Sequence, residues 1–244
     1  MASVRGGINT ALGALLACVD NVMIPTFTYA TMIIPVNGPE ENDMVYGSGH
    51  GSNLDAAVYR FDLPADMKNF EAGEALRATT HTYRSDHPIF SFTGLGLDGL
   101  LVEHPADDPY APIWRMRDIE GWVLLMGATP ADNFSIHAAE KKAGRKQFTR
   151  WALSSSGIHE VSNFPGCANG FHKLDYYLQE ELHRVKVKDQ EWQAVRLDIL
   201  LSTATHLIKE DPFALLCNDL KCGRCNLVRD AVKAQYAGDW RSET

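Results

Sequence analysis

"GWVLLMGATPADNFSIHAAEKKAG", Gly121 to Gly144, runs from an apolar stretch through a polar turn into residues with helical spacing. "WVLLM" reads as a strand ending at Gly127, and "TPADN" supplies turn and capping residues before a helix that carries His137. A strand that passes through a short turn into a helix is the repeating step of α/β folds. It also sets His137 near the carboxyl edge of a sheet, where open α/β sheets bind ligands. The plainer alternative is a histidine on a buried helix face, satisfied by one hydrogen bond. This segment alone does not separate the two.

Working outward, the same alternation continues. Toward the N-terminus, "GGINTALGALLACV" has helical spacing after a Gly-Gly entry, and "NVMIPTFTYATMII" is β-rich but interrupted by Pro25. Residues 36–69, rich in Gly, Pro, Asn and Asp, predict a long surface excursion with short pieces of structure at most. "FEAGEALRAT" reads as a short helix and "HPIFSFTGLG" as a strand. Beyond His137, "KQFTRWALSSSGIHEV" predicts a hairpin, and "GFHKLDYYLQEEL" and "AVRLDILLSTATHLIKEDP" predict helices. The expected class is α/β, a three-layer α/β/α arrangement around a mixed central sheet. Residues 1–244 read as one domain, with a Cys-rich tail from about 213 to 244 packed on it.

Composition limits the function. The chain has 244 residues, 45% of them hydrophobic, enough for a large core. With 23 basic and 31 acidic residues the net charge is −8, and no basic block is present. That excludes the electrostatic footprint of a nucleic-acid or anionic-membrane binder and suits a cationic small substrate. The apolar run around Ala11 to Val19 is too short to span a bilayer, and "MASVRGG" is no secretion signal. A soluble, cytoplasmic protein is expected, with oligomerisation left open.

Five cysteines, an odd number, do not make a disulfide framework. Cys217, Cys222 and Cys225 crowd into "CNDLKCGRC", and "FPGC" offers Cys167 as a fourth. Two readings stand: a structural zinc site, because C-x2-C is a standard half of one, or reduced, partly buried thiols. Cys18 is expected in the core, on the apolar face of the first helix.

Six blocks, "RGGINTALGALL", "IPTFTY", "GEALR", "RSDHPIFSFTGLG", "EHPADDPYAP" and "GWVLLMGATPADNFSIHAAE", occur in an order and spacing that resembles the antibiotic N-acetyltransferase family, which includes aminoglycoside 3-N-acetyltransferases. The likeness is strong from Arg5 to Glu140 and weaker onward. It implies acetyl transfer from acetyl-CoA to an amine, with His137 as the catalytic residue. Chemistry supports that role separately: most amines are protonated at pH 7, and an imidazole with an ordinary pKa of about 6.5 suits proton removal. The base needs a carboxylate to fix its tautomer, either Glu74 of "GEALR" or Glu140, one helical turn on. Beside Lys141 and Lys142, Glu140 reads first as an exposed helix charge.

For the coenzyme, the helix entry at Arg5, Gly6 and Gly7, assisted by Thr10, Thr26 and Thr28, offers N–H groups and hydroxyls to phosphate or pantetheine. The resemblance adds Arg84, Ser91, Asn133 and Ser135. On the acceptor side the expected acids are Asp86, Glu103, Asp107 and Asp108. Asn169 is neutral where many drug-modifying members carry an acid, so another primary amine is an alternative acceptor. Family members also carry an upstream strand with a Val-His-Ser-Ser-Leu-like block, and this chain opens at "MASVRGG". The expectation is a missing first strand, with a non-catalytic remnant that binds CoA or a partner as the second reading. A zinc hydrolase is the weakest reading, because no H-E-x-x-H or H-x-x-E-H spacing occurs.

Overall fold

Short apolar or partly alternating runs bounded by turn residues build the strands, and an apolar stripe at helical spacing builds the long helix beside the site. In the computed structural model, which describes residues 6–242, the chain opens with α1 (Gly7–Leu16), β1 (Val22–Pro25), β2 (Met32–Ile33) and α2 (Met67–Arg77). Strands β3 (Thr82–Arg84) and β4 (Phe92–Leu95) follow, then α3 (Asp98–Leu101), α4 (Ala111–Asp118), β5 (Trp122–Met126) and α5 (Ser135–Lys142). The last part holds β6 (Phe148–Ser154), β7 (Gly157–Phe164), β8 (His183–Val187), β9 (Gln190–Arg196), α6 (Leu197–Glu210) and α7 (Gly223–Ser242). Arg5, expected at the coenzyme, lies outside the described residues.

The class is mixed α/β, but the strands do not join one mixed central sheet. Among the described residues they form three small sheets, ordered β1-β4-β3, β2-β6-β7 and β5-β9-β8. Val22 and Thr82 both pair antiparallel with Leu95, Met32 with Ala152, and Trp122 with Arg196. The hairpin predicted from "KQFTRWALSSSGIHEV" is present as β6 and β7, joined by two residues, a connection that only antiparallel strands allow. Among these pairs β3–β4, β6–β7 and β8–β9 are joined by short connections, whereas β1–β4, β2–β6 and β5–β9 pair across long stretches of chain.

Two units make up the chain, each drawn from separate stretches. The first takes residues up to Gly38, Val45–Arg115 and Thr149–Asn163. Its aromatic centre is Phe27, whose ring meets Phe90 and Phe92 edge-on at 5.1 and 5.4 Å. Leu12 of α1, Val22 of β1 and Leu76 of α2 form a second buried cluster. Cys18, expected in this core, is exposed: α1 ends at Leu16, so the apolar face stops before reaching it.

The second unit takes Pro39–Met44, Met116–Phe148 and the residues from Phe164 onward. Helix α6 buries Leu197, Leu200, Leu201, Ala204 and Ile208, one continuous stripe at i, i+3, i+4, i+7 and i+11, and it packs against α5. Strand β5 exists where expected, but at the edge of its sheet, with Trp122 and Leu124 exposed. Its apolar run reads as a buried strand, yet a short apolar run does not say how many faces are covered. "GFHKLDYYLQEEL" makes only a 3-10 helix over Phe171–Tyr176 rather than an α-helix. Among the described residues no helix is long and apolar enough to cross a membrane.

Candidate active site

The turn after β5 is fastened before the helix begins. Thr129 donates from its backbone N–H and from Oγ1 to the same Asp132 carboxylate oxygen, each at 2.8 Å. Asn133 Oδ1 then accepts the Ser135 N–H at 3.1 Å, so Asn133 and Ser135 shape the entry of α5. From Ile136 to Glu140 every residue of α5 is buried. A polar residue in such a run must find its partner inside the protein.

His137 finds it one turn along. Its Nδ1 lies 2.6 Å from Glu140 Oε2, an i,i+3 pair on one helix face. Glu140 is 2% exposed, so the expectation of a surface charge is corrected: helical spacing places it under His137, and the five buried residues take that face out of water. Its other oxygen, Oε1, accepts from Arg145 Nη1 at 2.7 Å. Arg145 Nη2 donates in turn to the carbonyls of Pro212 at 2.9 Å and Ala214 at 2.5 Å. Arg145, absent from the sequence-based site, is therefore its third member.

Burial works to raise the Glu140 pKa, but the charges and hydrogen bonds of His137 and Arg145 outweigh it and hold the carboxyl below its ordinary value. An ionised carboxylate only accepts, so the imidazole proton sits on Nδ1. Nε2 is then the basic nitrogen, and it has no hydrogen-bond partner among the described residues. The rings of Phe134 and Phe171 stand 5.9 and 4.7 Å from the imidazole. This arrangement can take a proton at one atom while the other is held.

Glu74, the other carboxylate weighed for this role, is occupied in the first unit. It accepts from Arg77 Nη2 at 2.6 Å, from Arg77 Nε at 3.0 Å and from the Ala65 N–H at 2.9 Å. Partial burial works to raise its pKa, but these bonds and the Arg77 charge outweigh it and hold the carboxyl below its ordinary value.

The polar group around "RSDHP" is also spent inside the first unit. Arg84 is 1% exposed and donates to Ser91 Oγ at 3.0 Å, to the Thr26 carbonyl at 2.9 Å, and to the carbonyls of Phe61 and Leu63. Thr26 and Ser91 bond each other, and Thr28 Oγ1 donates to the Pro88 carbonyl at 2.8 Å. All four are buried and have their polar groups bonded within this unit, as buried donors must be. Gly6, Gly7 and Thr10 remain accessible at the start of α1. Gly6 and Gly7 have φ of 93° and 71°, a backbone that favours glycine, and no side chain caps the helix. Asp86, Glu103 and Asp107 are exposed, Glu103 within 3.3 Å of Arg115, and Asp108 accepts the Tyr110 N–H.

Ser85 and His104 form the buried end of this group. Ser85 Oγ lies 2.8 Å from His104 Nδ1, whose Nε2 meets the Pro109 carbonyl at 3.2 Å. Burial lowers the His104 pKa from 6.5 to about 4, and it lowers that of the adjacent His87 well below the usual value. The unfolded chain therefore takes up these protons first. Stability is greatest above about pH 6.5 and falls as the pH drops toward about 4, by on the order of 3 kcal/mol for His104 alone. Urea titrations at pH 7.5 and 5 are expected to show this loss, and His104→Asn should reduce it. An equal loss in both proteins would place the acid sensitivity elsewhere.

A family model described as aminoglycoside 3-N-acetyltransferase matches residues 1–209. The chain belongs to that family. Among its acetyltransferase relatives, aminoglycoside N(3)-acetyltransferase IX of Micromonospora chalcea is 34% identical over 152 residues, 57% of this chain and 51% of the relative. Aminoglycoside N(3)-acetyltransferase VIII of Streptomyces fradiae is 40% identical over 85 residues, 32% and 29% of the two chains. The chain thus spans about half or less of the curated relatives it matches. In fold it is similar to the YokD protein of Bacillus subtilis, with a TM-score of 0.72 at 18% identity over 86% of this chain and 83% of that one. AAC-IIIb, solved as a binary complex with CoASH, gives a TM-score of 0.64 at 18% identity, covering 84% of each chain.

Proposed function

We propose that the protein moves the acetyl group of acetyl-CoA to a primary amine, with an aminoglycoside amino group as the acceptor the family favours and His137 as the general base. The observation that carries this is the buried His137–Glu140 hydrogen bond of 2.6 Å in a chain of this family. Nε2 removes a proton as the amine nitrogen attacks the thioester carbonyl. The C–S bond then breaks, and the coenzyme thiolate leaves and regains a proton from the imidazolium. Glu140 holds the ring and balances its charge, while Arg145 holds Glu140.

Coenzyme binding is assigned to the start of α1, where unpaired N–H groups and the helix dipole favour phosphate. The CoASH complex of the similar AAC-IIIb supports acetyl-CoA as donor. The exposed acids Asp86, Glu103 and Asp107, with Asp108, suit a cationic acceptor, as does the net charge of −8. A cytoplasmic setting, where acetyl-CoA is available, fits this reading.

The deciding assay mixes purified protein with acetyl-CoA and a panel of amines that includes aminoglycosides, and follows loss of the thioester. Thioester loss that depends on an amine is expected. Coenzyme binding with no acetylation of any amine would make the chain a non-catalytic remnant. A second experiment tests the helix entry: Gly7→Asn adds bulk while tolerating the left-handed backbone, and should weaken CoA binding in a calorimetric titration. Gly13→Ala, equally uncrowded in mid-helix, should not. Equal affinity in both variants would leave the Gly-Gly entry a purely structural feature.

A further inference from the structure

Three separate stretches of the second unit converge on one point. Cys167 follows β7, Cys217 lies in the turn after α6, and Cys222 and Cys225 flank and enter α7. Their four sulfurs all lie within 4.8 Å of one another, with Cys217 and Cys225 at 3.4 Å. A tetrahedral zinc site with Zn–S bonds of about 2.3 Å has sulfur–sulfur edges of about 3.8 Å, the scale of this cluster. Disulfide pairing would require about 2.05 Å between two sulfurs and gives no reason for the other two to approach.

The surroundings suit a centre carrying two net negative charges. The Asn169 N–H donates to Cys167 Sγ at 3.5 Å. Arg229 donates to the Cys217 carbonyl at 2.5 Å, Lys173 to the Leu216 carbonyl at 2.6 Å, and Arg224 to the Gly166 carbonyl at 3.3 Å. Three cations are thus fixed on the backbone of the ligand loops. Arg224 also meets Asp43 at 3.1 Å, which offsets part of that charge.

The same loops support the site. Pro212 and Ala214, whose carbonyls hold Arg145, precede Cys217 by five and three positions. Gly170 lies so close to the Leu215 and Leu216 carbonyls that a side chain there would overlap them, and its neighbour Phe171 packs against the His137 ring. We propose that Cys167, Cys217, Cys222 and Cys225 bind one zinc ion, and that this metal fixes the 212–217 turn and so positions Arg145, Glu140 and His137. Four thiolates leave no open coordination position, so the metal takes no part in the transfer. The positioning role rests on His137 being the base; the metal site does not.

The test begins with zinc content, measured on protein purified from zinc-supplemented culture without metal-affinity steps. One zinc per chain is expected, with all four thiols protected from alkylation in the native protein. Cobalt substitution should give the visible bands of tetrahedral cobalt thiolate. Cys222→Ser and Cys167→Ser should lose metal and melt at lower temperature, whereas Cys18→Ser keeps both. Metal-free protein whose melting temperature ignores chelators, or a Cys217–Cys225 disulfide found by intact mass, overturns the site. Removal of the zinc should lower kcat while acetyl-CoA binding persists; unchanged kcat overturns the positioning role and leaves the metal site standing. If His137→Ala is as active as the parent, the base assignment fails while the zinc count is unaffected.

Discussion

His137→Ala is expected to acetylate an amine roughly 10²- to 10⁴-fold more slowly than the parent protein, the usual contribution of a general base. Acetyl-CoA affinity should be nearly unchanged, because the substitution removes the imidazole and leaves the α1 entry assigned to the coenzyme untouched. The paired measurement separates a base from a structural histidine: loss of coenzyme binding or of folding without a specific fall in turnover would identify the latter. Near-normal turnover on an amine that the parent acetylates would remove His137 from the mechanism.

Glu140→Ala is expected to destabilise the protein by about 3–5 kcal/mol, because it leaves the buried Arg145 guanidinium without its counter-charge. Both side chains are 2% exposed, so water cannot replace the carboxylate. Glu140→Gln keeps an acceptor for Arg145 but turns an NH2 donor toward Nδ1, which puts the imidazole proton on Nε2; it should be milder for stability yet clearly slower in turnover, since Nε2 is no longer free to accept and the imidazolium loses its balancing charge. Denaturant titrations check the first effect and steady-state rates the second; a Glu140→Ala cost below about 1 kcal/mol would mean that the pair is solvated in solution. The depressed Glu140 pKa adds an acid limb of its own. Its stabilisation is complete above the unfolded carboxylate's pKa of about 4.3 and is lost as the pH falls through the lower folded value, below the window in which His104 acts.

Much of the site is written locally. The strand, turn and helix around His137 follow from "WVLLM", from capping by Thr129, Asp132 and Asn133, and from the helical run after Ser135. The β6–β7 hairpin and the spacing of the cysteines are equally local. The hairpin β8–β9 is a local feature that the sequence reading above does not contain: Val185 and Val187 alternate with charged residues, and Lys188–Asp189 makes the turn, with Lys188 at φ 56°. The alternation is short and lies between two segments with helical spacing.

What the sequence determined by itself is therefore chemistry and spacing: an imidazole and a carboxylate three residues apart on a helix, and thiols at C-x4-C-x2-C intervals. Tertiary structure alone decided which of these are buried and what they meet. Glu140 changes from a surface charge to the partner of His137 because α6 covers its helix. Arg145 joins them through carbonyls 67 and 69 residues away, and Cys167 reaches the other thiols across 50 to 58 positions. Local sequence sets backbone preference through sterics and hydrogen bonding over a few residues. Burial and charge pairing depend on which distant segments exclude water from a group, and no pattern within that group's own segment carries this information.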